Sequence, residues 1–238
     1  MKTVIHKSDS RGFANHGWLE ARHSFSFANY YNPDKLSFGA LRVLNDDIIA
    51  PSAGFPQHPH DNMEIITIPL SGAIAHKDSM GNSSVIKTGE IQVMSAGKGI
   101  FHSEYNYNKD QELNLFQIWI IPNVKNIVPR YDQLNLDDIL KQNELIQILS
   151  PNKDDKGVWI YQDAWFHLGD YNKEASAEYT LKNKKNGVYI MMIEGEVSIN
   201  DTKLVAKDAM GIWDSTAVNI NIKPASKFLI IEVPMELN

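Results

Sequence analysis

A ten-residue pattern occurs twice in this chain, and the distance between the copies is close to half of its 238 residues. Ile65-Ile66-Thr67-Ile68-Pro69-Leu70-Ser71-Gly72-Ala73-Ile74 aligns with Val188-Tyr189-Ile190-Met191-Met192-Ile193-Glu194-Gly195-Glu196-Val197, a shift of 123 positions. Each copy is a short apolar run that ends in a glycine turn, the pattern of one strand folding back into the next. A unit repeated at half-chain spacing is read as two copies of one β-barrel.

The rest of the chain agrees with an all-β reading. Leu41–Leu44, Glu90–Met94, Leu115–Ile121, Val158–Gln162 and Phe228–Val233 are also short, rich in β-branched or aromatic residues, and bounded by Gly, Asn, Asp, Pro or Ser. Leu134–Gln142 is the main helix candidate, with Leu136, Ile139 and Leu140 on one face. It lies in a polar stretch that ends in Ser150-Pro151-Asn152-Lys153-Asp154-Asp155-Lys156-Gly157 and reads as a linker. The expected organisation is an N-terminal domain over 1–130, a linker over 131–157 and a C-terminal domain over 158–238.

Composition removes several function classes. A hydrophobic content of 43% supports a folded core, and a net charge of −6 leaves no basic excess to track a phosphate backbone. Direct nucleic-acid binding is therefore not expected. The chain has no cysteine, which eliminates disulfides, iron–sulfur clusters, thiolate zinc sites and cysteine nucleophiles. No P-loop, dinucleotide fingerprint or Gly-x-Ser-x-Gly elbow is present, and Gly97-Lys98-Gly99 reads as a turn. With no apolar leader in the first residues and no run long enough to cross a bilayer, a cytoplasmic protein without membrane contact is expected.

The histidines carry the chemistry. Eight His in this length give about 0.3 His-x-His pairs by chance, so His58-Pro59-His60 is significant only through its context. It is answered by His102-Ser103-Glu104, and both pairs have i, i+2 spacing, which on a strand projects both members from one face. That predicts a site of three histidines and one carboxylate inside a barrel, with Glu64 and Glu104 as candidates for the carboxylate. The shift of 123 places Leu181, Asn183 and Gly187 opposite His58, His60 and Glu64, and no histidine lies beyond His167. The second barrel is thus expected to lack the site and to be structural or gating.

The chain resembles the pirin-like bicupins. The resemblance is carried by His58-x-His60-x3-Glu64-x7-Gly72 and by Gly89-x9-Gly99-x2-His102-x3-Asn106, the two cupin motifs, the second with about two extra residues before its histidine. Arg11-Gly12-x-Ala14-Asn15-His16-Gly17-Trp18, His23-Ser24-Phe25-Ser26-Phe27, His76-x-Asp78-Ser79, Leu115-x-Gln117-x-Trp119 and Pro129-x-Tyr131 extend it. The resemblance implies two cupin barrels (double-stranded β-helix, jelly-roll) packed face to face, with few short helices. It also implies one metal ion held by His58, His60, His102 and Glu104, which leaves Glu64 to orient a ligand imidazole.

Three neutral imidazoles and a carboxylate suit Fe(II), and also Mn, Co, Ni, Cu or Zn. The bacterial members of the family imply a quercetin 2,3-dioxygenase activity, the ring-opening of a flavonol with O2; a ligating carboxylate within reach of the substrate proton makes Glu104 the expected base, with Glu64 as the competing candidate. Two alternatives stand beside it: an iron-bearing regulatory protein acting through protein partners, as in eukaryotic pirins, and a metal-dependent cupin isomerase or small-molecule binder.

Other histidines and aromatics have plainer readings. His16 and His23 have no partner at ligand spacing and are expected to be structural, while His76 and His167 are expected at a surface or domain boundary. Phe25, Phe27, Tyr30 and Tyr31 are expected to pack between the barrel and the N-terminal arm, with the lining of an aromatic substrate pocket as the alternative, and Met94 is expected to be core.

Overall fold

The computed structural model describes residues 1–237. These form twenty-two strands and two single turns of 3-10 helix, Ser8–Ser10 and Leu136–Asp138. The strands build two seven-stranded and two four-stranded sheets, one of each per barrel. No described helix is long and apolar enough to cross a membrane.

The repeat is visible in the topology. At the centre of the N-terminal seven-stranded sheet, Glu64–Ser71 lies between Glu90–Ser95 and Leu113–Ile120; in the C-terminal sheet, Asn186–Glu194 lies between Ala209–Trp213 and Ser226–Pro234. Gly72 (φ 84°) and Gly195 (φ 73°) make the equivalent turns, in a backbone region that glycine enters without steric cost. The four-stranded sheets also correspond: Gly54–His60 and Ile100–Asn106 pair in the first barrel as Ala175–Thr180 and Ala217–Ile222 do in the second.

The edges of the two large sheets are crossed. Arg130–Asn135 completes the N-terminal sheet beside Glu90–Ser95, whereas the equivalent place beside Ala209–Trp213 is taken by Lys2–His6 from the start of the chain. The stretch expected as a linker over 131–157 therefore supplies Arg130–Asn135 to one sheet and Leu145–Ser150 to the other, so only residues 136–144 run between them. The helix expected over Leu134–Gln142 is a strand end followed by one 3-10 turn. The Asn135 side chain accepts from the Asp137 N–H, and Leu136 is drawn into the core between the barrels. A packed leucine and a capped turn override a weak helical period.

Strand alternation assigns the two faces of each large sheet. On Leu113–Ile120, Leu113 and Leu115 face the barrel interior, while Phe116, Ile118 and Ile120 face the other domain. They meet Phe166, Tyr189, Met191, Leu229 and Ile231 there, so one continuous core joins the barrels face to face. A polar pair crosses the same boundary, with Lys207 Nζ 2.9 Å from Asp46, and within the C-terminal sheet the His6 imidazole is hydrogen-bonded to the Tyr189 hydroxyl at 2.8 Å.

The two interiors differ. The C-terminal barrel holds a single apolar core that runs from Tyr171 to Ile230. In the N-terminal barrel the apolar filling is split into two clusters, one around Ile74, Ile86 and Leu115 and one around Ile65, Met94 and Ile100. Met94 is core, as expected. The buried polar residues Asp47, Thr67, His102, Glu104 and Gln117 belong to the same barrel.

Candidate metal centre

His58 and His60 lie on Gly54–His60, and His102 and Glu104 on the antiparallel neighbour Ile100–Asn106. His102 is directly opposite His58, and His60 opposite Ile100. A bulge between His102 and Glu104 shifts the register, so that Glu104 pairs with Phe55 on one side and with His76 on the other. Both i, i+2 pairs therefore sit on strands and project inward, as their spacing predicts.

The three imidazoles converge. Ring centroids are 4.8 Å apart for His58 and His60, 4.4 Å for His58 and His102, and 4.9 Å for His60 and His102. Their ligating atoms all fall within 4.8 Å of one another, as do those of His76, His102 and Glu104. His102 Nε2 is 4.0 Å from Glu104 Oε2, so His102 is common to both groups. His58 Nδ1 is bonded to the Pro56 carbonyl at 2.8 Å, which fixes the tautomer and leaves Nε2 with a lone pair.

Two observations show that this donor set fits a cation. Both ring nitrogens of His102 are buried without a hydrogen-bond partner, a costly arrangement unless something else occupies them. Burial, then the neighbouring His102 and His58, push His60 down to about 4; burial, then His58 and His76, push His102 down to about 3. These two rings are thus neutral at pH 7, each with a nitrogen lone pair free for a metal.

Glu104 is held from the opposite side. Gln117 Nε2 donates to it at 3.1 Å, and the Thr67 hydroxyl contacts both Glu104 and Gln117. Neither residue stands out by type, but inward parity on Glu64–Ser71 and Leu113–Ile120 identifies both. His76 is a further member that its single position in the sequence did not reveal. Instead of lying at a surface or domain boundary it is buried, its ring centroid 5.3 Å from His102 and 4.9 Å from Tyr131, with Nε2 3.3 Å from Asp78. The signal was available in His76-x-Asp78, a third pair with i, i+2 spacing.

Glu64 does not orient a ligand imidazole. Parity places it with Ile66 and Ile68 on the domain-facing side, where Ser95 Oγ donates to it at 2.6 Å. Burial pushes its carboxyl up to about 7, against the Ser95 bond and the charge of Arg130. Because the folded value lies above the ordinary 4.5, the folded state holds the proton more tightly, and stability falls as pH rises from 4.5 to 7. Glu64→Gln should remove this dependence. Denaturant unfolding of the two proteins should show their difference in stability changing by about 3 kcal/mol across that window.

The remaining candidates are distributed as follows. His23 is structural, its Nδ1 hydrogen-bonded to Asn45 Oδ1 at 2.9 Å. His167 lies inside the C-terminal barrel against Tyr179. Phe25 packs on Tyr189 between the domains, Tyr31 is 73% exposed, and Phe27 reaches the centre, where it meets Trp119 edge-on at 5.3 Å. Phe27, Phe55 and Trp119 wall a cavity of about 170 Å3 that adjoins His58, His60 and Glu104. On one side of it Gly54 packs so closely on the neighbouring strand that a Cβ would overlap the Glu104 carbonyl and Tyr105 Cα. Gly54→Ala should therefore push the strands Gly54–His60 and Ile100–Asn106 apart, at a cost of about 1–3 kcal/mol. Thermal unfolding and a metal titration should both register the change.

Two jelly-roll barrels sharing a core, one with converging imidazoles and one filled with apolar side chains, define a bicupin. Residues 5–120 match the Pirin family and residues 147–233 match the quercetinase C-terminal cupin domain; the chain belongs to the pirin family. It is 41% identical over 230 residues to the quercetin 2,3-dioxygenase of Escherichia coli K12, covering 97% of this chain and 98% of that one. It is 38% identical over 225 residues to a pirin-like protein of Caulobacter vibrioides, covering 94% and 96%. Among solved structures it is similar to the bacterial pirin YhhW of E. coli in complex with nickel(II), with a TM-score of 0.92, 39% identity and coverage of 98% and 99%.

Proposed function

We propose that the chain is a metal-dependent dioxygenase that opens the ring of a flavonol such as quercetin with O2. His58, His60, His102 and Glu104 would hold one divalent transition metal ion, Fe(II) in this reading. The observation that carries the proposal is the convergence of three imidazoles and a carboxylate on an aromatic-walled cavity. The close relative named quercetin 2,3-dioxygenase supplies the substrate class. When bound, the ion would supply Lewis acidity toward the flavonol oxygens and a site for O2.

The side chains supply the rest. Glu104 accepts the proton of the flavonol hydroxyl, and Gln117 and Thr67 fix the orientation of its carboxylate by hydrogen bonds. Phe27, Phe55 and Trp119 exclude water and give the planar substrate an apolar slot. In the second barrel, the facing strands Ala175–Thr180 and Ala217–Ile222 carry no histidine, and that domain acts as structural support.

Metal analysis of the purified protein, combined with an oxygen electrode, tests the proposal. Quercetin should be consumed in step with O2 by metal-replete protein. Substrate conversion without oxygen uptake would point to an isomerase and overturn the reading, and so would undiminished turnover by a metal-free His58→Ala/His102→Ala double variant.

A further inference from the structure

We propose that Asp47 recognises the ligand in the inner cavity, its carboxyl hydrogen-bonding an oxygen substituent on an aromatic ring held among Phe27, Phe55 and Trp119. The inference deepens the flavonol reading and rests on it for the identity of the ring.

Asp47 lies on Leu41–Ile49, next to an aspartate with the opposite role. Alternation turns Asp46 toward the other domain, where Lys207 and Arg11 meet it, and turns Asn45 and Asp47 into the barrel. Asp47 is 3% exposed, and its Oδ1 has no hydrogen-bond partner. Of the other polar side chains on the cavity wall, Asn45 is bonded to His23 and Gln117 to Glu104. A buried carboxyl oxygen without a partner costs about 1–3 kcal/mol or more, so its retention beside a cavity calls for a function. Burial, with Asp46 and Glu104 nearby, pushes the Asp47 carboxyl well above the ordinary aspartate range, favouring the neutral acid that can donate to an oxygen. The indole Nε1–H of Trp119, also buried and unpartnered, is a second donor on the same wall.

Cavity size limits what is recognised. A space of about 170 Å3 is close to one that holds a single benzene ring, and a three-ring flavonol does not fit inside it. One oxygenated ring enters, and the remainder lies beyond Phe27 and Phe55. These two residues also border a neighbouring apolar cavity of about 440 Å3, lined in part by Trp18 and Tyr30.

The test is anaerobic binding of two probes, quercetin and the single-ring benzene-1,2-diol, to the metal-loaded full chain, with metal content measured on every sample. Asp47→Leu should retain the metal and the fold while weakening both probes by about tenfold or more. Asp47→Asn, which keeps a donor and the shape, should stay within about threefold of the parent. Should the leucine variant not fold, Asp47→Ala reads the same loss without added bulk. The proposal is overturned if the apolar variant binds both probes as the parent does, if it loses the metal, or if the parent binds neither probe. Binding of the diol but not of quercetin by the parent overturns the flavonol reading and leaves the role of Asp47 standing. Quercetin turnover with unaltered binding by Asp47→Leu overturns the role of Asp47 alone.

Discussion

His102→Ala should abolish metal retention and quercetin-dependent oxygen uptake together. His102 is the residue common to both groups of converging donors, and neither of its ring nitrogens has another partner, so on the proposed ligand set its loss removes a donor that no neighbour replaces. Replacing a residue that only supports a metal ligand costs about 10- to 100-fold in affinity, and removing a ligand should exceed that. Metal content after dialysis should drop from near one equivalent to a small fraction. A second readout separates lost binding from lost folding. The parent should gain thermal stability when metal is added, about 2.7 kcal/mol at a concentration 100 times Kd, and the variant should gain none. Without metal the two proteins should unfold at similar temperatures, because the alanine removes two unsatisfied nitrogens along with the ring. A variant that keeps its metal would remove His102 from the ligand set.

Glu232→Ala should cause the largest loss of stability in the C-terminal domain, about 4 kcal/mol. Glu232 is 0% exposed and accepts four hydrogen bonds: from the Tyr179 hydroxyl at 2.7 Å, the backbone N–H groups of Lys182 and Asn183 at 3.0 and 3.1 Å, and Asn186 Nδ2 at 2.8 Å. Truncation leaves the buried Tyr179 hydroxyl and Asn186 amide without this acceptor, together with the two part-buried backbone N–H groups. For a chain of this size the thermal midpoint should fall by roughly 8–16 °C. Glu232→Gln retains a carbonyl acceptor and should lose less than half as much. An alanine variant within about 1 kcal/mol of the parent would show that the loop at 182–186 rearranges to satisfy itself. The position has a counterpart in the first barrel. Glu232 pairs with Val188 as Trp119 pairs with Ile65, at the repeat spacing, so a carboxylate seals one mouth where an indole borders the cavity of the other.

Much of this was legible in the sequence because it depends on local spacing. Two i, i+2 pairs need only strands to converge, and the half-chain repeat located the equivalent turns at Gly72 and Gly195. What could not be read depends on which face of a strand looks where. Glu64 follows the first histidine pair and has the right chemistry for a ligand, yet it points into the domain interface; Thr67, three residues later and unremarkable by type, points at Glu104. Asp46 and Asp47 are adjacent and chemically identical, and only register assigns one to an ion pair with Lys207 and the other to the cavity. Leu134–Gln142 departs from its helical period for a related reason: its apolar spacing serves a strand edge and one docked leucine, a tertiary demand that helical periodicity does not distinguish.

The crossed edge strands separate the order of synthesis from the order of folding. Lys2–His6 leaves the ribosome some 200 residues ahead of its partner Ala209–Trp213. At 5–20 residues per second the wait is roughly 10–40 s. Throughout it the opening strand has no edge to join, although the metal-site strands 54–60 and 100–106 are already present and able to pair. Lys2–His6 therefore docks only after Ala209–Trp213 has been made, and a C-terminal half expressed alone would present Ala209–Trp213 as an open sheet edge that invites self-association.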